Sequence, residues 1–247
     1  MTFEKFSKNG LILPIDQATA RLDDTAFTYG YGVYETLKIR NNTLYFPELH
    51  AQRLLNSAKT IELQHDLTEQ KIILLLKELQ KQIKEESYNF KILLITNNQN
   101  ADIYIIPLAP LYPKPEYYTQ GVKVITYQGE RQYPQAKTLN MLTSFIAYKK
   151  AKEQQAYDAL LIDNQGNIRE GTRTNIIYEL NNQLYTPPLN TILEGVTLTT
   201  LRQALKEKNI TVQERELKLT EINQCQSILL LSTSTKTAPI RHRCQSL

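Results

Sequence analysis

The first part of the chain alternates between strand-like and helix-like spacing of its hydrophobic residues. β-Branched and aromatic residues dominate several short runs, which predicts strands. Pro47 stands where a helix can begin, and Ile72, Leu75, Leu76 and Leu79 recur at the helical period. The pattern therefore predicts strands at residues 10–15, 27–39, 43–46, 91–96 and 103–107, and helices at 48–60 and after residue 66.

The second part of the chain continues the alternation between apolar strand-like runs and segments of helical spacing. The pattern predicts strands at residues 122–127, 159–163, 175–180, 183–185 and 227–231, and helices at 139–154 and 197–208. Because the helices are too few to separate all the strands by crossover connections, mixed or antiparallel sheets with barrel-like closure are expected. The predicted fold class is therefore mixed α/β (α+β).

A proline-rich stretch divides the two parts. Residues 107–118, PLAPLYPKPEYY, hold four of the 10 prolines. Such a run is extended and stiff and resists both helix and central strand. The sequence therefore predicts a small N-terminal domain at residues 1–108, a linker at 109–118 and a larger C-terminal domain at 119–247.

Composition excludes several classes of function. Lys plus Arg number 29 and Asp plus Glu number 25, and the small positive excess is spread along the chain rather than gathered in a nucleic-acid-binding stripe. The two cysteines form no CxxC pattern and no His pair stands at zinc spacing, so no metal site is expected. The N-terminus lacks the apolar core of a signal peptide, and no apolar run approaches membrane-spanning length. A cytoplasmic protein is expected.

Lys137 is the first candidate for covalent chemistry. A lysine amine attacks a carbonyl group only in its deprotonated form, which an apolar pocket favours. Ala136, Leu139, Met141 and Leu142 give this lysine fairly apolar neighbours. For the residue taken alone, a solvated surface lysine is the alternative.

Residues 170–175, EGTRTN, place a carboxylate before a glycine and a hydroxyl-rich turn that leads into an apolar strand. Such a carboxylate can pair with a protonated cofactor nitrogen, and the hydroxyl and backbone donors near it can bind an anion. A polar loop is the alternative, because glycine and threonine clusters mark loops in general.

Three further segments carry groups that can bind phosphate. Gly195 precedes Val196 and Thr197 at a predicted helix start, where backbone N–H groups face an anion. Residues 232–235, STST, follow a buried strand, and Arg53 lies on a predicted helix and can grip phosphate with two N–H bonds. A helix cap, a solvated loop and a surface salt bridge are the respective alternatives.

Taken together, six segments resemble the class IV aminotransferases, the fold-type IV pyridoxal-phosphate enzymes, a family that includes branched-chain aminotransferases, D-amino-acid aminotransferases and aminodeoxychorismate lyase. The segments are FTYGYGVYETLKI (27–39), HAQRLLNSAK (50–59), KTLNML (137–142), EGTRTNI (170–176), LEGVTLTTLR (193–202) and LLSTSTKTAPI (230–240). The resemblance runs nearly from end to end. It implies a small N-terminal α/β sandwich and a larger C-terminal pseudo-barrel of mixed strands with helices.

The resemblance implies a role for each matched residue. Lys137 corresponds to the lysine that forms an aldimine with pyridoxal 5'-phosphate and then moves a proton between the substrate α-carbon and the cofactor. Glu170 keeps the pyridine nitrogen protonated, which makes the ring an electron sink. The groups that hold the phosphate are those of Arg53, Val196, Thr197, Ser232 and Thr233. The residues that line the cofactor's edge are Thr172, Thr174 and Asn175.

The substrate side matches no single branch of the family. Tyr29 and Tyr34 match aromatic positions that contact substrate. D-Amino-acid enzymes carry a carboxylate-binding arginine after the strand that matches residues 92–96, and this chain has TNN there. The basic residues that remain as candidates, each with a surface charge as the alternative, are Lys38, Arg40 and Lys91.

The predicted reaction is amino-group transfer from an amino acid to a 2-oxo acid through Lys137. The alternative within the family is an aminodeoxychorismate lyase that releases pyruvate and 4-aminobenzoate. The alternative from another class is a protein that binds pyridoxal phosphate without turnover, and the presence of both Lys137 and Glu170 argues against it. Because the family works as a homodimer, a second copy of the chain is the expected protein partner. Each active site is expected near the subunit interface and between the two domains.

Overall fold

The computed structural model describes residues 2–96, 100–234 and 236–241, and within these ranges the chain forms six α-helices and fifteen β-strands. The strands make three sheets of six, five and four strands. The chain divides into two units, of which the first holds residues Met1–Leu111 and Ala136–Asn140 and the second holds Tyr112–Gln135 and Met141–Leu247.

The first unit is one antiparallel sheet with helices packed on it. Its elements are β1 Lys5–Lys8, β2 Leu11–Pro14, α1 Thr25–Tyr29, β3 Gly32–Arg40, β4 Thr43–Leu44, α2 Pro47–Thr60, α3 Glu69–Gln80, β5 Tyr88–Thr96 and β6 Ala101–Leu108. The strand order is β2-β1-β6-β5-β3-β4, so β3 and β5 are interior strands. Leu37 of β3 and Leu54 of α2 are fully buried together with Leu76 of α3, which shows that both helices close the core.

The second unit contains the five-stranded and four-stranded sheets. Its elements are α4 Glu116–Thr119, β7 Val124–Gln128, α5 Leu142–Glu153, β8 Asp158–Ile162, β9 Asn167–Gly171, β10 Asn175–Leu180, β11 Gln183–Thr186, α6 Val196–Lys206, β12 Val212–Glu214, β13 Leu217–Lys218, β14 Ser227–Ser232 and β15 Lys236–Pro239. The strand orders are β12-β11-β10-β14-β15 and β13-β9-β8-β7. Parallel pairs (β7 with β8, β11 with β12) stand among antiparallel ones, so the predicted mixed α/β fold with mixed sheets is confirmed.

Two predicted elements are wrong at their starts. Residues 27–39 do not form one strand, because α1 occupies Thr25–Tyr29 and Gly30, with φ of 66°, ends that helix in the left-handed conformation before β3 begins. The helix predicted at 139–154 begins only at Leu142, because the backbone N–H of Leu139 donates to the carbonyl of Gly32 and is part of a strand-like pairing.

The proline-rich stretch is partly structured. Strand β6 continues through Pro107, which pairs opposite Phe90, and α4 takes up Glu116–Thr119. The assignment of residues 1–108, 109–118 and 119–247 to domain, linker and domain stays a prediction. In the described part of the chain, no helix combines the length and the apolar composition that a bilayer crossing requires. The cytoplasmic location also stays a prediction.

Candidate active site

In the first unit, the segment that carries Lys137 pairs with the beginning of β3. The N–H of Tyr34 donates to the carbonyl of Lys137, and the N–H of Leu139 donates to the carbonyl of Gly32. The backbone N–H of Lys137 donates to the hydroxyl of Ser57 on α2, at 3.0 Å. Lys137 is therefore held by backbone bonds on both sides, although it lies 80 residues from Ser57 in sequence.

Glycines of the YGYG motif let this segment approach β3 closely. A Cβ atom on Gly30 would meet the backbone of Asn140 at 3.2 Å, and φ at Gly30 is positive. A Cβ atom on Gly32 would lie 2.8 Å from Ile95 and 2.9 Å from Leu139. Sequence reasoning matched the motif to a family strand but missed this packing role. The signal that could have found it is the repeated glycine beside a strand, which marks a close approach of another backbone.

The side-chain nitrogens of two lysines lie close to the ring of Tyr34. The Nζ of Lys137 lies 4.5 Å from the ring centroid and the Nζ of Lys91 lies 3.6 Å from it. Tyr34 itself is buried. Burial lowers the pKa of Lys91 and the charge of Lys137 lowers it further, whereas Tyr34 and Glu35 raise it. The structure thus brings together three of the predicted residues, Tyr34, Lys91 and Lys137.

The other predicted substrate residues lie elsewhere in the first unit. Lys38 lies on β3 and is buried, and its ammonium group lies 5.4 Å from the ring centroid of Tyr45. Arg40, at the end of β3, donates to the carbonyl of Tyr88. Tyr29 is the last residue of α1 and is 77% exposed. Their contact with substrate stays a prediction.

Arg53 on α2 forms an ion pair with Glu35, a buried carboxylate on β3. Glu35 is fully buried, and it accepts hydrogen bonds from the Nε of Arg53 at 2.6 Å and from Nη2 at 2.8 Å. The Nδ1 of His50 lies 2.8 Å from the same carboxylate. Burial disfavours the charged form of Glu35, but Arg53 and His50 outweigh burial and hold the pKa of this carboxyl well below its usual value.

In the second unit, Glu170 lies at the end of β9 and is almost fully buried. The Nη1 of Arg131 lies 3.2 Å from its Oε1, and the Nδ2 of Asn175 lies 3.4 Å from its Oε2. Both groups donate to the carboxylate, which stabilises its ionised form. Arg131 and Glu170 also line a cavity of about 180 Å³. Sequence reasoning missed the pairing of Arg131 with Glu170.

Asn175 connects Glu170 to the start of α6. Its Nδ2 also donates to the carbonyl of Leu193, at 2.7 Å, and its Oδ1 accepts the N–H of Gly195, at 3.0 Å. Gly195 is the residue that precedes α6 and has no side chain to cap it. The N–H of Thr197, the second residue of the helix, therefore lacks the capping bond that a Ser, Thr, Asp or Asn side chain would supply, and the N–H of Val196 is one of the first-turn donors that no intrahelical acceptor meets.

Ser232 and Thr233 lie at the same end of the five-stranded sheet as Asn175. Strand β10 begins at Asn175, which pairs with Leu231, and β14 ends at Ser232 in the antiparallel partner. Thr233 follows in the turn between β14 and β15. The structure therefore groups a carboxylate, an amide, an uncapped helix start and two hydroxyl residues in one part of the second unit. Thr235 lies outside the described residues.

The hydroxyls of Thr172 and Thr174 bond Asp158, a carboxylate that the sequence did not single out. Both hydroxyls donate to Asp158, which also accepts the N–H groups of Ala159 and Thr172. Burial raises the pKa of Asp158, and these hydrogen bonds, with nearby Arg173, oppose the rise. The turn after Glu170 is thus organised around Asp158. Contact of Thr172 and Thr174 with a cofactor stays a prediction.

The residues that sequence reasoning missed share one signal. Glu35 stands in VYETLKI on the same strand face as the buried Val33 and Leu37, and Asp158 begins a strand whose five residues are all buried. Charged residues at core positions of a strand are paired or hydrogen-bonded in folded proteins. The position of each carboxylate in an apolar strand could therefore have marked it as buried, but it could not name the partners.

Comparison with known proteins places the chain among related folds. The family model described as class IV amino-transferase matches residues 32–242. The D-alanine aminotransferase of Bacillus licheniformis is 27% identical over 258 residues, which span 94% of this chain and 86% of that protein. The branched-chain amino acid aminotransferase from Escherichia coli matches with a TM-score of 0.86 at 20% identity, over 96% of this chain and 85% of that one.

A second solved structure gives the same result. The pyridoxal-phosphate-bound form of a hypothetical aminotransferase from Mycobacterium tuberculosis matches with a TM-score of 0.83 at 22% identity. The match covers 98% of this chain and 93% of that one. The mixed α/β fold with several sheets is therefore the fold of these aminotransferase structures.

Substitution of Asp158 tests how the turn after Glu170 is held. We expect Asp158→Ala to lower the free energy of unfolding by roughly 3 kcal/mol or more, because buried N–H and hydroxyl donors lose their acceptor. Asp158→Asn keeps one acceptor oxygen and is neutral, so its loss should be about 1 kcal/mol. Urea unfolding measures both. Equal losses in the two variants would contradict the view that acceptor geometry, rather than charge, holds the turn.

Proposed function

This chain belongs to the class IV aminotransferase family, and we propose that it transfers an amino group from an amino acid to a 2-oxo acid with pyridoxal 5'-phosphate as its cofactor. Class IV aminotransferases use this cofactor. The observation that carries the proposal is the amine of Lys137, which backbone bonds hold beside Tyr34 and the ammonium group of Lys91. A lysine that backbone bonds hold in place can present its amine to an aldehyde.

The donor groups of the described chain fit pyridoxal phosphate chemically. Lys137 supplies an amine for the aldehyde, and Glu170 supplies a carboxylate for the pyridine nitrogen. The phosphate needs N–H and O–H donors and positive charge, which α6 provides at its uncapped start. We propose that the groups that hold the phosphate are those of Arg53, Val196, Thr197, Ser232 and Thr233.

When bound, pyridoxal phosphate supplies an electron sink for the pair of electrons left at the substrate α-carbon. Lys137 takes the proton from that carbon and delivers a proton to the cofactor. Glu170 keeps the pyridine nitrogen protonated, and it can do so because Arg131 and Asn175 donate to its oxygens and stabilise its negative charge. Asn175 also holds the start of α6 in place through Gly195.

On the substrate side, Lys91 is the proposed partner of the substrate carboxylate. Its ammonium group lies against Tyr34, the ring that Lys137 also contacts, so both lysines share one neighbour. Lys38 lies on the same face of β3 but packs over Tyr45. A substrate bound at Lys137 would therefore find Lys91 in the same cluster of side chains, which favours Lys91 over Lys38.

A homodimer is the proposed assembly. On α5, Leu142, Phe145 and Ile146 are spaced at i, i+3 and i+4 and therefore share one helix face. They are 66%, 65% and 37% exposed. An apolar stripe of this kind is expected to be covered in an oligomer. The occupant that we propose is a second copy of this chain.

Loss of Lys137 tests the reaction. We expect Lys137→Ala to transfer the amino group from D-alanine or a branched-chain amino acid to 2-oxoglutarate at least about 10²- to 10⁴-fold more slowly than wild type, because the proton-moving amine is gone. Borohydride reduction followed by mass spectrometry should find a phosphopyridoxyl group on Lys137 of the wild type. Lys77→Ala, on the exposed side of α3, is the matched control and should keep both properties. A phosphopyridoxyl group on another lysine, or pyruvate release from aminodeoxychorismate without any acceptor, would contradict the proposal.

Substitution of Lys91 tests carboxylate binding. We expect Lys91→Gln to raise the KM for the amino donor about 10- to 100-fold, the range for a lost hydrogen bond to a charged group. Lys91→Arg should recover part of this loss, since it keeps the charge. Lys38→Gln, on the neighbouring strand and the same face of the sheet, is the matched comparison and should leave the KM for the donor near the wild-type value. The reverse ranking of the two Gln variants would show that Lys38 is the partner.

Substitution on α5 tests the assembly. We expect Phe145→Glu to weaken self-association by roughly 30-fold or more, because it places a charge at the centre of the apolar stripe. Sedimentation velocity over a concentration series measures the effect. Leu74→Glu is the control, since Leu74 is a half-exposed leucine on α3 of the first unit. A wild-type protein that stays monomeric at micromolar concentration would refute the proposed homodimer.

A further inference from the structure

Glu35 is an unusual residue for its position. It stands on the face of β3 that also presents Val33 and Leu37 to the core, and all three are fully buried. Transfer of a carboxylate into a core is costly unless partners compensate its charge. An apolar residue would fill this place without that cost. The presence of a carboxylate therefore calls for an explanation in terms of what it contacts.

Two side chains of α2 meet this carboxylate. Arg53 donates from Nε to Oε1 at 2.6 Å and from Nη2 to Oε2 at 2.8 Å, and His50 Nδ1 lies 2.8 Å from Oε2. The N–H of Thr36 adds a longer bond of 3.3 Å. His50 and Arg53 are three residues apart and so lie on one face of the helix. The carboxylate is thus surrounded by donors from both α2 and its own strand.

Stability alone does not account for this arrangement. Apolar residues of similar volume often replace a buried ion pair without loss of stability, so such a pair is weak evidence for a stabilising role. What the pair does impose is geometry. The guanidinium group is planar, and two parallel bonds to one carboxylate fix both its plane and its rotation. The side chain of Arg53 is 14% exposed, whereas that of Glu35 is fully buried.

We infer that Glu35, supported by His50, is a positioning residue that orients the guanidinium of Arg53 toward the phosphate of pyridoxal phosphate. The inference rests on the proposed function, in which Arg53 is one of the phosphate-holding residues. Glu35 engages two of the five N–H bonds of Arg53 and sets the directions of the other three. His50 holds Oε2 from another direction, which keeps the carboxylate itself from rotating.

This role has a consequence that simple electrostatics does not share. A negative charge beside Arg53 weakens the attraction between Arg53 and a phosphate dianion. Removal of that charge would therefore tighten phosphate binding if charge alone mattered. If orientation matters more, removal of the same carboxylate would weaken binding. The two views predict opposite signs for one substitution.

The test compares pyridoxal phosphate with pyridoxal, which lacks the phosphate. We expect Glu35→Gln to raise the Kd for pyridoxal phosphate about tenfold or more, the loss associated with a charge-assisted hydrogen bond, and to leave the Kd for pyridoxal unchanged. Absorption titration of the apoenzyme with each compound gives both constants. An unchanged or lower Kd for pyridoxal phosphate would overturn the inference. Equal weakening of both compounds would also overturn it, because that result indicates a general structural role.

Variants of His50 provide a second test of the orientation of Arg53 in case Glu35→Gln does not fold. His50→Ala removes the support of Oε2 and should raise the Kd for pyridoxal phosphate selectively, by a smaller factor than Glu35→Gln. His50→Asn places an amide N–H near the position of Nδ1 and should restore binding. Absence of rescue by asparagine would count against the positioning role. Failure of wild-type protein to bind pyridoxal phosphate or to form the borohydride-trapped group would instead refute the proposed function.

Discussion

The surroundings of Lys137 depend on the antiparallel backbone pairing between residues 136–140 and the beginning of β3. Two backbone hydrogen bonds make this pairing, one on each side of the opposed residues Val33 and Thr138. Because they join backbone groups, they hold the lysine against an interior strand of the first unit independently of its own side-chain contacts. A side chain carried by a paired strand is placed more reproducibly than one on a loop. Tyr34 and Lys91 then follow as its neighbours, since β3 and β5 are themselves paired.

Asn175 performs a comparable task in the second unit. One side-chain amide bonds Glu170, the carbonyl of Leu193 and the N–H of Gly195. The turn after β9 and the start of α6 are thereby joined through a single buried residue. An asparagine can do this because its amide carries both donors and an acceptor, whereas an aspartate offers acceptors only. The position of the carboxylate and that of the helix start are therefore coupled.

Two of the buried carboxylates, Glu35 and Asp158, are compensated in different ways. Glu35 faces Arg53 and His50, and these two side chains hold its pKa down despite burial. Asp158 faces hydroxyl and backbone N–H groups, and burial raises its pKa. The first arrangement fixes the plane of a guanidinium group. The second closes a turn on itself, which suits a structural support for the residues that follow Glu170.

The sequence by itself determined the types of most elements, the mixed sheets and the family, because periodicity and ordered motifs are properties of neighbouring residues. It also singled out Lys137, Glu170 and the start of α6 as candidate site residues. It did not reveal that Gly30 divides residues 27–39 into a helix and a strand, nor which residues partner Arg53, Glu170 and Thr172. Glu35 lies 18 residues from Arg53, and Arg131 lies 39 residues from Glu170. Only the tertiary structure decided these pairs, because strand order and helix packing, rather than local spacing, bring such distant residues within hydrogen-bond distance.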